Sequence, residues 1–305
     1  MISQLLRSST IYAIWLSSVA VAHPFRRQPS NSSLTAITTL SETEIDAFTP
    51  YTWYASTGYC QPSQVLTWSC GANCEANPSF HPLFAGGDGV NVQYWYVGYD
   101  TLLDTVIVAH QGTNPGKILP LVTDGALAMG TLDSTLFPSL PATIQVHEGF
   151  RNEQAVTAPN ILMAVEDTLT QSKMTKVTIV GHSLGAAIAL LDSVYLPLHI
   201  PGITFETVVY GLPRVGNQDF ATYVNSNANL THINNKEDPI PTVPGMFLGY
   251  HQPQGERHIE DNNSWVSCPG DDNSSTMCST GDVPTIFEAK LSDHDGPYNA
   301  ITMGC

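Results

Sequence analysis

The chain has 305 residues, 42% of them hydrophobic, with 27 acidic side chains against 11 basic ones and a net charge of −16. That length and apolar content allow one sizeable packed core and exclude a disordered or collagen-like chain. With no lysine or arginine cluster beyond Arg26-Arg27, a nucleic-acid partner is excluded on charge, and solubility is the simpler use of the acidity.

Residues 1–22 join a basic start at Arg7 to an apolar run from Ile11 to Ala22 ending in Ala20-Val21-Ala22, the pattern of a signal peptide. A membrane anchor needs roughly 20 apolar residues, more than this run supplies. No later stretch is longer, so a secreted, extracellular protein without a transmembrane anchor is expected. Residues 23–40 are polar and aperiodic and read as an N-terminal arm or propeptide, with Arg26-Arg27 as a candidate cut. Residues 41–305 show no repeat or linker and read as one domain.

Within that domain, Ser41 followed by Glu44 predicts a capped helix start. The runs VQYWYVGYD (92–100) and TVIVAHQGT (105–113) are rich in β-branched and aromatic residues and predict an antiparallel pair. Ile161, Leu162, Val165 and Leu169 predict a helix behind Pro159, and KVTIV (176–180) a buried strand. A helix after Ser183 and the strand ITFETVVYG (203–211) continue an alternation that implies a parallel sheet covered on both faces.

Six cysteines fit an oxidising destination and allow fifteen pairings. Cys70 with Cys74, and Cys268 with Cys278, are close enough to close small loops, which leaves Cys60 with Cys305. A link that long is worth about 4–5 kcal/mol in the loop-entropy account. Asn31, Asn229, Asn262 and Asn273 begin glycosylation sequons.

The chemistry concentrates at Gly181-His182-Ser183-Leu184-Gly185. The bare pattern arises by chance on the order of 0.1 times in such a chain. Here it follows a strand and opens a helix of small residues, the setting of a nucleophile elbow. A serine hydroxyl needs a base to take its proton and a carboxylate to orient that base. Asp238 supplies the carboxylate, in a loop stiffened by Pro239, Pro241 and Pro244. For the base, His251, His258 and His294 all follow Asp238, and the residues alone do not choose among them. His182 adjoins Ser183, so its side chain is expected to point away in a structural role.

Taken together, YWYVGYD, VIVAHQGT, VHEGF, GHSLGAA, YGLPRVGN, NNKEDPIPTVP, GYHQPQGE and DHDGPY resemble, in order and spacing, the fungal class 3 lipases, and among them the secreted mono- and diacylglycerol lipases of basidiomycete yeasts, whose cysteine arrangement is similar. The resemblance implies an α/β-hydrolase fold, a mostly parallel central sheet with helices on both faces and a lid over the active site, and makes residues 41–305 the catalytic domain. It implies Ser183, Asp238 and His294 as triad, places His251 near the site without making it the base, and gives the oxyanion hole to the N–H groups of Leu184 and Thr113. It puts the lid in NPGKILPLVTDGALAMG, through Asn114, Ile118, Leu119, Leu121 and Val122.

The chain departs from the family in two places. His110 and Gln111 replace an aromatic and an arginine, so the salt bridge that usually braces the oxyanion loop does not carry over from the resemblance. Asp295-Gly296-Pro297 replaces the leucine after His294, and Asp293 and Asp295 flank the base as charges able to perturb it. The reading is a serine lipase that frees fatty acids from acylglycerols at a lipid–water interface, acting as a monomer. No cofactor or metal is expected, since no His/Cys cluster has zinc spacing. A feruloyl-type aryl esterase shares the fold and triad but would favour a polar lid, and a catalytically silent lipid-binding protein is the other alternative.

Overall fold

The computed structural model describes residues 36–113, 117–118, 127–285 and 287–305. The signal peptide, most of the arm, Asn31, and the lid residues Asn114, Leu119, Leu121 and Val122 lie outside these. The main sheet contains β1 (Thr38–Thr39), β2 (Phe80–Gly86), β3 (Trp95–Asp100), β4 (Thr105–His110), β5 (Lys176–His182), β6 (Thr204–Tyr210), β7 (Leu230–Asn235), β8 (Glu256–Ile259) and β9 (Trp265–Ser267). Their spatial order is β1-β9-β8-β7-β6-β5-β4-β3-β2. Strands β4 to β8 run parallel, and antiparallel strands finish both edges.

The predicted antiparallel pair is β3–β4, with Trp95 opposite His110 and Asp100 opposite Thr105. Strand β1 takes two threonines from the segment read as a loose arm and pairs them with Ser267 and Val266, which covers the edge of β9. Unpaired edges invite association, and a short covering strand removes that hazard.

The parallel strands are buried on both faces, and their side chains alternate between two cores. Val106 and Val108 of β4 join one core with Ala186, Leu190 and Ile161, while Ile107 and Ala109 join the other with Tyr54, Tyr210 and Ile233. The first core is packed by α3 (Glu148–Ser172) and α4 (Leu184–His199), and the second by α2 (Thr49–Thr57), which follows α1 (Glu42–Asp46). Each fully buried Val or Ile contributes about 1.5–3 kcal/mol, so a slip of one residue in register would forfeit both cores. At α1 the predicted capping box is formed, with Glu44 Oε2 accepting from the Ser41 N–H at 2.8 Å.

Helix α3 differs from the expectation behind Pro159, because it starts at Glu148 and carries Pro159 in its interior. An interior proline costs about 3 kcal/mol through a lost hydrogen bond and a clash. Phe150, Ala158, Ile161 and Val165, all fully buried on one core, offset that cost.

Three disulfides join Cys60 to Cys305, Cys70 to Cys74 and Cys268 to Cys278. The first ties the chain end to the end of α2. Asn229 and Asn262 are exposed, whereas Asn273 is half-buried and its amide donates to the Pro269 carbonyl at 2.8 Å. Among the described residues no helix is long and apolar enough to cross a membrane.

Candidate active site

Ser183, Asp238 and His294 come from three separate segments; Ser183 and Asp238 follow the carboxyl ends of parallel strands, where open α/β sheets place their sites, and His294 is in contact with Asp238. Ser183 follows β5 directly and caps α4 with φ 60° and ψ −126°, a left-handed conformation that costs a non-glycine residue about 1–3 kcal/mol. Its neighbours explain how so sharp a turn is tolerated. A Cβ on Gly181 would collide with the Gly185 carbonyl, and a Cβ on Gly185 with the carbonyls of His110 and Gln111. The Ser183 N–H donates to Tyr210 O at 3.0 Å, which pins the turn to the end of β6.

Asp238 lies in the turn after β7. Its Oδ1 accepts the Ile240 N–H at 2.9 Å, and its Oδ2 lies 2.8 Å from His294 Nδ1. That contact sets the tautomer: Nδ1 carries the proton and donates to the carboxylate, so Nε2 keeps its lone pair. Both residues are essentially inaccessible to solvent. Ser183 Oγ and His294 Nε2 are also buried, and neither has a hydrogen-bond partner among the described residues. Unsatisfied buried polar atoms are uncommon and mark strain or function.

Of the other candidate bases, His258 directs both ring nitrogens at main-chain carbonyls, those of Met277 and Lys236. His251 faces Asp272 Oδ2 at 3.2 Å. Neither meets Asp238.

His182 has the structural role expected of it, with partners on two distant segments. Its Nε2 donates to the His294 carbonyl at 2.8 Å, and its Nδ1 accepts from the Tyr59 hydroxyl at 2.6 Å. Burial holds the His182 imidazole well below its usual pKa, and the nearby charge of His294 adds to this. A neutral ring that donates at one nitrogen and accepts at the other is what this chain of contacts requires. The Tyr298 hydroxyl donates to the same His294 carbonyl at 2.9 Å, so the main chain of His294 is held twice. No spacing rule links residues 59, 182, 294 and 298, and sequence reasoning missed the contacts among them.

The oxyanion segment has a brace of its own. His110 Nε2 lies 2.9 Å from Asp192 Oδ2 of α4, off the line of a hydrogen bond, and Gln154 of α3 donates to Asp192 Oδ1 at 2.8 Å. The Gln111 side chain accepts the Tyr94 N–H at 2.8 Å. An aspartate inside the apolar helix GAAIALLDSVY was the available sequence signal for this arrangement. Thr113 follows in the turn after β4, and Leu184 is the first residue of α4, where an N–H has no intrahelical acceptor.

Of the segment expected to form a lid, the described Ile118 is fully buried in the core with Val106 and Ala186. Elsewhere the surface is unusually apolar. Met246, Phe247 and Leu248, on a turn after Asp238, and Phe287, ahead of His294, are exposed around a cavity of about 540 Å³. Leu127, Val243 and Val283 line its walls.

A mixed sheet with a parallel centre, a strained serine at a strand-to-helix turn and a buried His–Asp pair define an α/β-hydrolase. Residues 107–248 match the lipase (class 3) family. A secreted mono- and diacylglycerol lipase of Malassezia globosa is 33% identical over 226 residues, which are 73% of this chain and 72% of that protein. Another secreted mono- and diacylglycerol lipase, from Gibberella zeae, is 29% identical over 73% of this chain and 72% of its own length. Among solved structures, the triacylglyceride lipase of Rhizomucor miehei aligns with a TM-score of 0.75 at 24% identity, covering 88% of this chain and 98% of that one. A lipase of Yarrowia lipolytica gives 0.74 at 22% identity, over 89% and 98%. The chain belongs to the class 3 lipase family, and it is a secreted carboxylic ester hydrolase.

Proposed function

We propose that the protein hydrolyses acylglycerols through an acyl-enzyme on Ser183, with a preference for mono- and diacylglycerols. The observation that carries this reading is the pair of orphaned atoms, Ser183 Oγ and His294 Nε2, in a site where Asp238 already fixes the imidazole. Ser183 Oγ attacks the ester carbonyl while His294 Nε2 takes its proton, and Asp238 stabilises the imidazolium that forms. The oxyanion is met by the N–H groups of Leu184 and Thr113. The carbon–oxygen bond to the glycerol portion breaks, and His294 returns the proton to that oxygen. Water, deprotonated by the same histidine, then releases the fatty acid.

The exposed apolar rim of Met246, Phe247, Leu248 and Phe287 favours an acyl substrate at a lipid surface over a plant aryl ester. The preference for partial glycerides rests on the names of the relatives. Titration of fatty acid released from diacylglycerol and triacylglycerol emulsions, with Ser183→Ala beside the parent, tests both parts. Release from diacylglycerol alone, abolished in the variant, is the expected result. Equal release from both emulsions removes the preference, and release that survives in Ser183→Ala removes the mechanism.

A further inference from the structure

A second cavity, of about 350 Å³, shares no lining residue with the apolar rim, and its walls include Gln93, Gln111, Gly112, Thr113, Lys117 and Asp295. Two of its walls belong to the reaction centre's own segments. A Cβ on Gly112 would come within 3.1 Å of Ser183 Cβ and 2.6 Å of the His182 carbonyl, so only a glycine's thickness separates the cavity from the nucleophile turn. Asp295, also in its wall, directly follows His294.

The Asp295 main chain is fixed, its carbonyl accepting from the Met303 N–H at 2.8 Å. Its carboxylate is half-buried, and among the described residues no hydrogen bond or ion pair reaches it. Burial raises its pKa, with His294 opposing the rise, as expected of an acid withdrawn from water without a donor of its own. The aspartates elsewhere in the site are differently placed: Asp238, Asp192 and Asp272 all have polar partners.

Resting on the catalytic reading above, we propose that this cavity binds the free hydroxyls of a partial glyceride, and that Asp295 is the residue that selects them. An ionised carboxylate is acceptor-only, with two oxygens able to take one hydroxyl each. A mono- or diacylglycerol whose ester is at Ser183 carries one or two hydroxyls on the adjoining carbons, and these are the donors the carboxylate lacks. A triacylglycerol offers none. It would close the cavity over an unpaired charge, and a site built around such a hydrogen bond discriminates strongly against ligands that lack the donor. A cavity of this size also sits at the small end of the roughly 300–1,000 Å³ range of ligand pockets, suited to a head group.

The test measures kcat/KM for a monoacylglycerol and for the methyl ester of the same fatty acid, in the parent, Asp295→Asn and Asp295→Leu. The readout is the ratio of the two values. It is expected to fall roughly 10- to 100-fold in Asp295→Leu, the range of a hydrogen bond to a charged group, and by less in Asp295→Asn, which keeps one acceptor. An unchanged ratio overturns the proposal. That includes the case in which both substrates slow equally, which would mean that Asp295 acts through His294 or the fold. If Asp295→Leu does not fold, the Asn variant and inhibition by a 1-O-alkylglycerol set against the corresponding alkyl methyl ether decide the matter; equal inhibition constants in the parent overturn it. Methyl-ester turnover in Ser183→Ala reports on the catalytic reading separately, and a parent that hydrolyses neither ester overturns both.

Discussion

The reaction centre and the rim beside it invert the usual distribution of polarity. Ser183 and His294 are 0% exposed and Asp238 1%, whereas Phe247 is 90% and Phe287 95% exposed. Asp238 and the Met246–Leu248 turn lie on one connection, and Phe287 and His294 on another, so each segment carries a buried polar group and an exposed apolar one. Acyl transfer needs dipoles and charges fixed away from water, where they are stronger and need no reorganisation. Capture of an acyl chain needs apolar surface that the fold has not already covered. The two requirements pull neighbouring residues in opposite directions.

The most severe test breaks the buried half. Ser183→Ala should lower kcat by about 10⁶-fold and Asp238→Asn by roughly 10⁴-fold, with emulsion binding retained. Burst titration with an active-site ester checks this, and an Asp238→Asn variant of near-parental rate would show that the 2.8 Å contact to His294 is not functional.

A smaller effect is expected at the brace. His110→Phe removes one polar neighbour of the buried Asp192, which keeps Gln154, and should cost about 1–3 kcal/mol in denaturant unfolding. Pairing it with Asp192→Leu should recover much of that loss, because the uncompensated carboxylate goes with it. If the double variant is no more stable than the single one, the brace account fails.

Weaker still is the apolar half. Phe247→Ser and Phe287→Ser should each weaken binding to a diacylglycerol emulsion roughly 10-fold, since burying a phenylalanine is worth about 1.5–3 kcal/mol. Hydrolysis of a dissolved short-chain ester should change less than that. Equal losses on both substrates would mean that the rim shapes the reaction centre and is not a lipid contact.

The smallest effect lies at an exposed turn outside both halves. Asp88 accepts the N–H groups of Val90, Asn91 and Val92, and these hold its pKa down at about 2. A depressed carboxylate stabilises the fold above its unfolded pKa, about 3.9, and loses that contribution as pH falls through 2. Asp88→Asn should therefore flatten the acid-unfolding profile between about pH 4 and 2 and leave it unchanged at neutrality. A profile identical to the parent's would remove the role assigned to this turn.

Much of this was legible in the chain. Alternating apolar strands and small-residue helices predict the sheet because burial on both faces requires continuous apolar runs, and β4, β5 and β6 have them. The elbow was legible because glycine is required at 181 and 185 on steric grounds, and steric requirements leave a local mark. The helix start at Pro159 was misread, because local propensity counts the proline's cost and not the core that offsets it. The structural role of His182 was read correctly, but not its partners, because a residue beside the nucleophile gives no hint of where its ring will be received.

The fold class, the nucleophile turn and the proline-stiffened carboxylate loop were set by neighbours along the chain, and the spacing of six cysteines suggested, among fifteen pairings, the two short loops and one long one that the structure shows. The choice of His294 over His251 and His258 came from the family resemblance, and the structure brings it to Asp238; folding alone revealed that His182, held by Tyr59, supports its main chain, that His110 finds Asp192, and that Asp295 faces a cavity with its carboxylate unpaired. Those contacts join residues tens to hundreds of positions apart. Side chains so distant leave no periodic or spacing signal, since what selects them is the space left when the strands and helices have packed.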